Sequence, residues 1–380
     1  MKIRWKFFIV FVAVALSSVF VWKLYLDSKE QIATNKPLTK YIPQAAAKEE
    51  IDLFPVRSNG KYGYINRAGE VVIQPQFEGA WEFSEGLAPV QIGKEEKYGF
   101  IDKNGQMVIQ PRFILVDRFP DGFHEGVARI RSQSLRLFRF NLVNTKYGFI
   151  DRDGKIVVET KYDIAREFHM GVASVCRKVG LTRKRRWGFI NRKGEFVNDS
   201  DFTDASNFNE GFAAVRKDDK FYFIDLEGKD VFSKRFEFTR DFSEGVAAVM
   251  KGKKWGFINK TGEMVIEPQF KSAQNFSEGL AQVQMKDNNW GFIDHAGKLV
   301  IPPIYSIVGD FSEERASVYL NRYWEVIDKA GKQVLSPQLK YISPFKNGIA
   351  RVGEWREGKG LETSALIDKS GKAIWQEMSQ

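Results

Sequence analysis

The chain has 380 residues, 43% of them hydrophobic and 14% aromatic, with a formal net charge of +10. That apolar content excludes a disordered protein and is ample for a packed core, in two ordinary domains or one large repeat array. A single cysteine, Cys176, excludes an internal disulfide, so the fold relies on packing in any compartment.

Lys2, Arg4 and Lys6 precede an apolar run from Phe7 to Trp22, interrupted only by Ser17 and Ser18 and closed by Lys23. Extended to Leu26, the segment approaches the roughly 20 residues that span a bilayer. We read residues 1–26 as an uncleaved signal-anchor transmembrane helix, the alternative being a signal peptide that is removed. The basic residues in front stay cytoplasmic by the positive-inside rule. The expectation is a single-pass membrane protein with an extracytoplasmic body, or a secreted or periplasmic one after cleavage. Residues 27–50 lack sustained periodicity and read as a tether reaching on the order of 25 Å.

From residue 51 to 380 one pattern returns about nine times. Its core reads "YGYI" at Tyr62, "YGFI" at Tyr98 and Tyr147, and "WGFI" at Trp187, Trp255 and Trp290, with degraded copies at Phe221, Tyr323 and Ala365. A usual spacing of 34 to 36 residues marks a repeat architecture. After each core comes Asp/Asn-x-x-Gly, from Asn66-Gly69 to Asp368-Gly371. An Asx side chain accepts from the backbone ahead and Gly takes a left-handed conformation, so the spacing predicts a hairpin with a type I turn and a glycine bulge. A strand such as "MVIQP" follows, which Pro75, Pro111, Pro268, Pro303 and Pro337 are expected to close. A link of the form "FSEG" leads to an Ala-x-Val/Ile strand whose small residue allows close approach of a neighbouring unit. The first copy carries Phe54 in place of that alanine, as expected of a terminal cap.

On these residues the chain resembles the bacterial WG (or KWG) repeat proteins, whose units read roughly Lys-Trp/Tyr-Gly-Phe-Ile-Asp-x-x-Gly, Val-Ile-x-Pro-x-Phe/Tyr, Phe-Ser-Glu-Gly-x-Ala. The likeness covers about residues 51–376. It implies repeated β units and says little of function. Tyr222, Glu325 and Ala365 stand where the core glycine belongs, which predicts less regular packing toward the C-terminus. The fold class expected is all-β, tandem β-hairpin repeats in an open or superhelical array, with a closed propeller-like ring as the alternative, because nine units exceed the usual 4 to 8 blades.

The sequence assigns no catalytic residue, metal or cofactor. His124 and His169 occupy the Ser slot of the link and His295 a turn, so each reads as a solvated turn residue. Cys176 reads as a strand residue rather than a nucleophile. Glu85, Glu125, Glu210, Glu244, Glu278 and Glu313 read as turn residues; the alternative is a secreted or periplasmic glycan-active enzyme with these acids in a repeat channel.

Two adjacent units lengthen the same hairpin. The first loop carries Arg129, Arg131, Arg136, Arg139 and Lys146, with Phe138 and Phe140 among them; the second carries Arg177, Lys178, Arg183, Lys184, Arg185 and Arg186. These eleven cations exceed the formal net charge of +10 by one, so the remainder of the chain sums to about −1. A concentrated cationic edge gathers anions. Outside the cytoplasm the expected partners are a protein or an anionic envelope polymer or lipid; the anchor argues against nucleic acid. The functional expectation is a membrane-anchored β-repeat scaffold that binds through this edge.

Overall fold

The computed structural model describes residues 52–93, 97–114, 122–132, 145–179, 184–197, 201–285, 287–356 and 360–377. The expected anchor and tether (residues 1–50) lie outside them. No described helix is long and apolar enough to cross a membrane.

Every described element is a strand. Nine units follow one antiparallel plan, fully drawn in unit six: a short first strand Phe238–Thr239, an alanine strand Val246–Lys251, an aromatic-glycine strand Lys254–Asn259 and a proline strand Met264–Phe270, hydrogen-bonded in that order. Units seven, eight and nine repeat it from Ser272–Ser277, Ile307–Val308 and Tyr341–Ile342. Units two and three share one seven-stranded sheet, joined by the single pair Ile114 and Arg131. Units four and five have three strands each, with the fourth reduced to isolated bridges such as Trp187 to Phe202 and Phe221 to Phe236. Of the three departures from the core glycine, only Tyr222 coincides with a lost strand; the units of Glu325 and Ala365 keep all four.

The aromatic-glycine pair and the proline explain one another. In unit two Phe100 faces Ile109 and Tyr98 faces Phe113, so three residues of the proline strand bulge across the single Gly99. A β-carbon on Gly99 would lie 2.2 Å from the Ile109 carbonyl oxygen and 2.8 Å from the Pro111 nitrogen. Proline therefore sits inside the strand, at the bulge where no ladder donor is required, and not at its end. The Asx turns form as expected: the Asp102 carboxylate accepts from the amides of Asn104 and Gln106, and Gly105 has φ of 80°.

The link forms a second tight turn. Ser84 and Leu87 exchange both backbone hydrogen bonds across Glu85 (φ 50°) and Gly86 (φ 80°), the type I′ geometry of a two-residue hairpin. A glutamate at positive φ is strained by about 1 kcal/mol or more, and its carboxylate compensates by reaching the next unit. Glu85 accepts from the Gly126 amide, Glu210 from Gly245, Glu244 from Gly279 and Glu313 from Gly348, at 2.8–3.0 Å. Glu125 and Glu278 each take two such amides. A basic side chain from the next unit's Asx turn meets each of these glutamates, Lys260 at 3.0 Å from Glu210 and Lys369 at 3.0 Å from Glu313 among them, with His295 in that place at Glu244.

Beneath the links, the link phenylalanine packs edge-on or tilted against the core aromatic of the preceding unit: Phe83 on Tyr64, Phe276 on Phe257 and Phe311 on Phe292, with centroids near 5 Å. Such pairs contribute about 0.5–1.5 kcal/mol each beyond area burial. The slot alanines from Ala88 to Ala350 are all buried, as close approach requires.

The same rules join the last unit to the first, so the open array does not hold and the units close on themselves. Phe54 and Val56 of unit one bury against Ile349 and Leu366 of unit nine. Asn347, in the glutamate slot of unit nine, donates to Asp52 at 2.7 Å, and Arg67 from unit one's Asx turn meets that carboxylate at 2.7 Å. Gly69 packs on Ile374 just as Gly105 packs on Ile73 of the unit before it. Phe54 is thus no solvent-facing cap; it supplies Leu366 with an aromatic partner.

Lys346 of unit nine reaches over unit one to Glu82 of unit two at 2.8 Å, so the first strands converge on the axis and the proline strands lie outside. The antiparallel meander then sets the two faces. Links and Asx turns share one; the hairpins after the alanine strands share the other.

Candidate partner-binding surface

Both lengthened hairpins lie on the hairpin face, in adjacent units three and four. In unit three the alanine strand Val127–Arg131 pairs with Tyr147–Asp151; in unit four Val172–Val179 pairs with Lys184–Asn191 in unbroken register. Arg136, Phe138, Arg139, Phe140 and Arg183 lie outside the described residues.

Several of the remaining cations already have partners inside the molecule. Asp163 immediately precedes the first strand of unit four, Ile164–His169; its carboxylate meets Lys146 at 2.9 Å and the Lys178 amide at 2.9 Å, with the Lys178 ammonium at 3.9 Å. Burial pushes the Asp163 carboxyl up, but the Lys146 hydrogen bond and the Lys178 contacts more than offset it, holding it below its ordinary range. Arg129 donates to the Ala165 carbonyl at 2.5 Å and lies 5.6 Å from the Tyr147 ring centroid. Arg177 lies over Phe196 and Arg186 pairs with Asp201 at 2.7 Å. These are contacts that build the sheets.

Glu78 and Glu237 repeat the Asp163 arrangement. Each follows the last aromatic of a proline strand and accepts from the hairpin amides Gly93, or Gly252 and Lys253. The acid after that aromatic was visible in the sequence at three positions and is the signal that separates structural from available lysines.

Lys184 and Arg185 stay exposed, and Arg131 is half-buried. Cross-strand neighbours in the arm carry like charge: Arg177 opposite Arg186 and Lys178 opposite Arg185. Like charges directly opposite destabilise a sheet, and Asp201 beside Arg186 and Asp163 beside Lys178 offset that here.

The residues considered for chemistry have structural positions. Cys176 is fully buried and burial pushes its thiol up, away from the reactive thiolate. His295 stacks on Phe276 and His124 lies 3.5 Å from Glu167. For Glu210 and Glu313, burial raises the carboxyl but pairing with Lys260 or Lys369 wins, leaving both below the ordinary range, opposite to the shift of a general acid. Among the described residues no cluster of three His, Cys, Asp or Glu could hold a metal.

The family model described as "WG containing repeat" matches eight times, at residues 62–95, 98–132, 147–178, 187–221, 223–255, 255–290, 290–324 and 326–354. The chain belongs to the WG-repeat family. No curated protein matches it in sequence. Among solved structures, this WG-repeat chain is similar to a eukaryotic initiation factor at 12% identity, with 86% of this chain and 96% of that one covered and a TM-score of 0.57, a likeness of fold alone. Weaker matches are BamB from Moraxella catarrhalis (10% identity, 76% and 91% covered, TM-score 0.42) and apo AztD from Citrobacter koseri (13%, 86% and 93%, 0.40).

Proposed function

We propose that this WG-repeat protein is a membrane-anchored scaffold whose repeat domain stands outside the cytoplasm and binds a protein or an anionic envelope ligand through the basic edge of units three and four. One observation carries the reading: adjacent units lengthen the same hairpin on the same face, and Lys184 and Arg185 of the second arm stay exposed. The exposed Lys184 and Arg185 supply a field that steers an anion to this edge.

The test compares the purified full chain with a variant in which Arg131, Arg136, Arg139, Arg183, Lys184 and Arg185 become Gln. Lys146, Lys178, Arg129 and Arg186 are left in place because they hold the sheets. Binding is read on vesicles of anionic and of neutral lipid and on envelope extracts, across a salt series. Retention by the unmodified chain alone, weakening as salt rises, is the expected result. Equal retention by both chains would remove the basic edge from the mechanism.

A further inference from the structure

In five units an arginine covers the first aromatic of the core strand. Guanidinium carbons stand 5.0–5.9 Å from the ring centroids in units one, three, four, five and six, as in Arg166 over Trp187 and Arg240 over Trp255. These arginines come from three positions: two residues beyond the start of the first strand (Arg166, Arg240), the residue after the slot alanine (Arg129), and two residues further on (Arg57, Arg216).

Trp324 of unit eight holds the same place by register, opposite Leu339 as Trp255 is opposite Phe270. There the three positions carry Gly309, Ser317 and Tyr319. Among the described residues no cation lies over Trp324. Under their arginines Trp187 and Trp255 are 6% and 7% exposed, whereas Trp324 is only half-buried.

Rings stand beside it instead. Tyr319, directly opposite, lies 5.4 Å from Trp324 with its plane at 60°, and Tyr341, which opens unit nine, lies 6.4 Å away at 65°. Both are half-buried. Planes so inclined form walls, and ring faces gathered in this way attract a cation through their quadrupoles. Lys340, the residue before Tyr341, is paired with Glu354 at 2.8 Å.

We propose that the cleft between units eight and nine, on the hairpin face, receives an arginine side chain of a partner protein, whose guanidinium takes over Trp324 the place that the chain's own arginines hold in five other units. Those five precedents select the group: a planar guanidinium stacks on an aromatic face, whereas an ammonium is a compact and strongly hydrated charge. Units eight and nine lie across the ring from units three and four, so the cleft is separate from the basic hairpins and takes the opposite sign of charge.

The full chain labelled with fluorotryptophan gives a fluorine resonance for each of its nine tryptophans, and Trp324→Phe identifies the one in the cleft. N-acetylarginine amide is titrated beside N-acetylcitrulline amide, its neutral match in shape, N-acetyllysine amide and tetramethylammonium. The arginine compound is expected to move the Trp324 resonance saturably, to leave those of Trp187 and Trp255 in place, and to bind several-fold more tightly than the lysine one. Citrulline should have no effect, and Tyr341→Ala should weaken arginine binding about threefold. Gly309→Arg combined with Ser317→Ala recreates the Arg240 and Ala248 of unit six; the second change removes the hydroxyl that would stand 2.7 Å from a β-carbon on Gly309. This variant supplies its own cover and is expected to lose the arginine effect. Any of these results would overturn the proposal: citrulline or lysine binding as tightly as arginine, tetramethylammonium binding where arginine does not, no compound moving the Trp324 resonance, or undiminished binding by the double variant.

Discussion

The junction between units six and seven and the one between units nine and one perform the same task with different residues. In the first, Glu244 accepts from the Gly279 amide while His295 lies 3.5 Å away, and Phe276 packs on Phe257. In the second, an amide side chain takes the glutamate slot and the carboxylate moves across the junction to Asp52, while Phe54 provides the ring from a different strand. The junction between units four and five departs a third way: Met170 fills the glutamate slot, with the Gly211 amide on its sulfur, and Leu226 stands where the cation would be. Position is kept and chemistry changes in matched pairs.

The largest expected effect comes from removing the rings. Phe276→Ala is expected to cost about 3–5 kcal/mol, the range for a buried phenylalanine. Phe54→Ala restores the repeat's own residue yet is expected to cost about 3 kcal/mol, because Leu366 loses its partner. Chemical denaturation of both variants checks this; a harmless Phe54→Ala would mean that the seam does not bear on stability.

A smaller effect, and a sharper one, concerns the exchanged carboxylate. Asn347→Glu alone sets two carboxylates together and is expected to lower stability by about 1–2 kcal/mol. Adding Asp52→Gly recreates the ordinary junction and should recover most of that loss. If the double variant is no better than the single one, the seam does not obey the rule of the other junctions.

The smallest effect is a pH dependence with opposite signs in two groups. Burial holds Asp241 above its ordinary range despite the Ser206 hydrogen bond and the nearby Arg166, Arg240 and His169. A carboxyl with a raised folded pKa costs stability as pH rises past its unfolded value, about 3.9. Asp241→Asn should therefore raise the Tm near neutrality and leave it unchanged below that value. Glu313, held low, contributes stability at neutral pH that is lost as pH falls through its folded pKa, so Glu313→Gln should lower the Tm more at pH 7 than in acid. Matching shifts at both pH values would exclude these assignments.

The unit was legible in the sequence because turn chemistry is local: Asp102 and Gly105 act within four residues, and so do Glu85 and Gly86. The closed ring was not, because its evidence lies in pairs such as Asn347 with Asp52, about 300 residues apart and different from every other junction. Proline was read as a strand end because a bulge becomes visible only when Gly99 is placed opposite Pro111. Of the candidate surface, the location was legible from two insertions of one hairpin. The commitment of Lys146 and Lys178 to Asp163 was not, since it depends on an acid in a third segment.

At most junctions the glutamate binds main-chain amides, which every residue except proline offers. A duplicated unit would arrive already able to receive its predecessor, whatever its side chains. Growth of such a molecule by copying is therefore easy at the six glutamate junctions and harder at Met170 with Leu226 and at Asn347 with Asp52, where an inserted copy would have to bring its own counterpart.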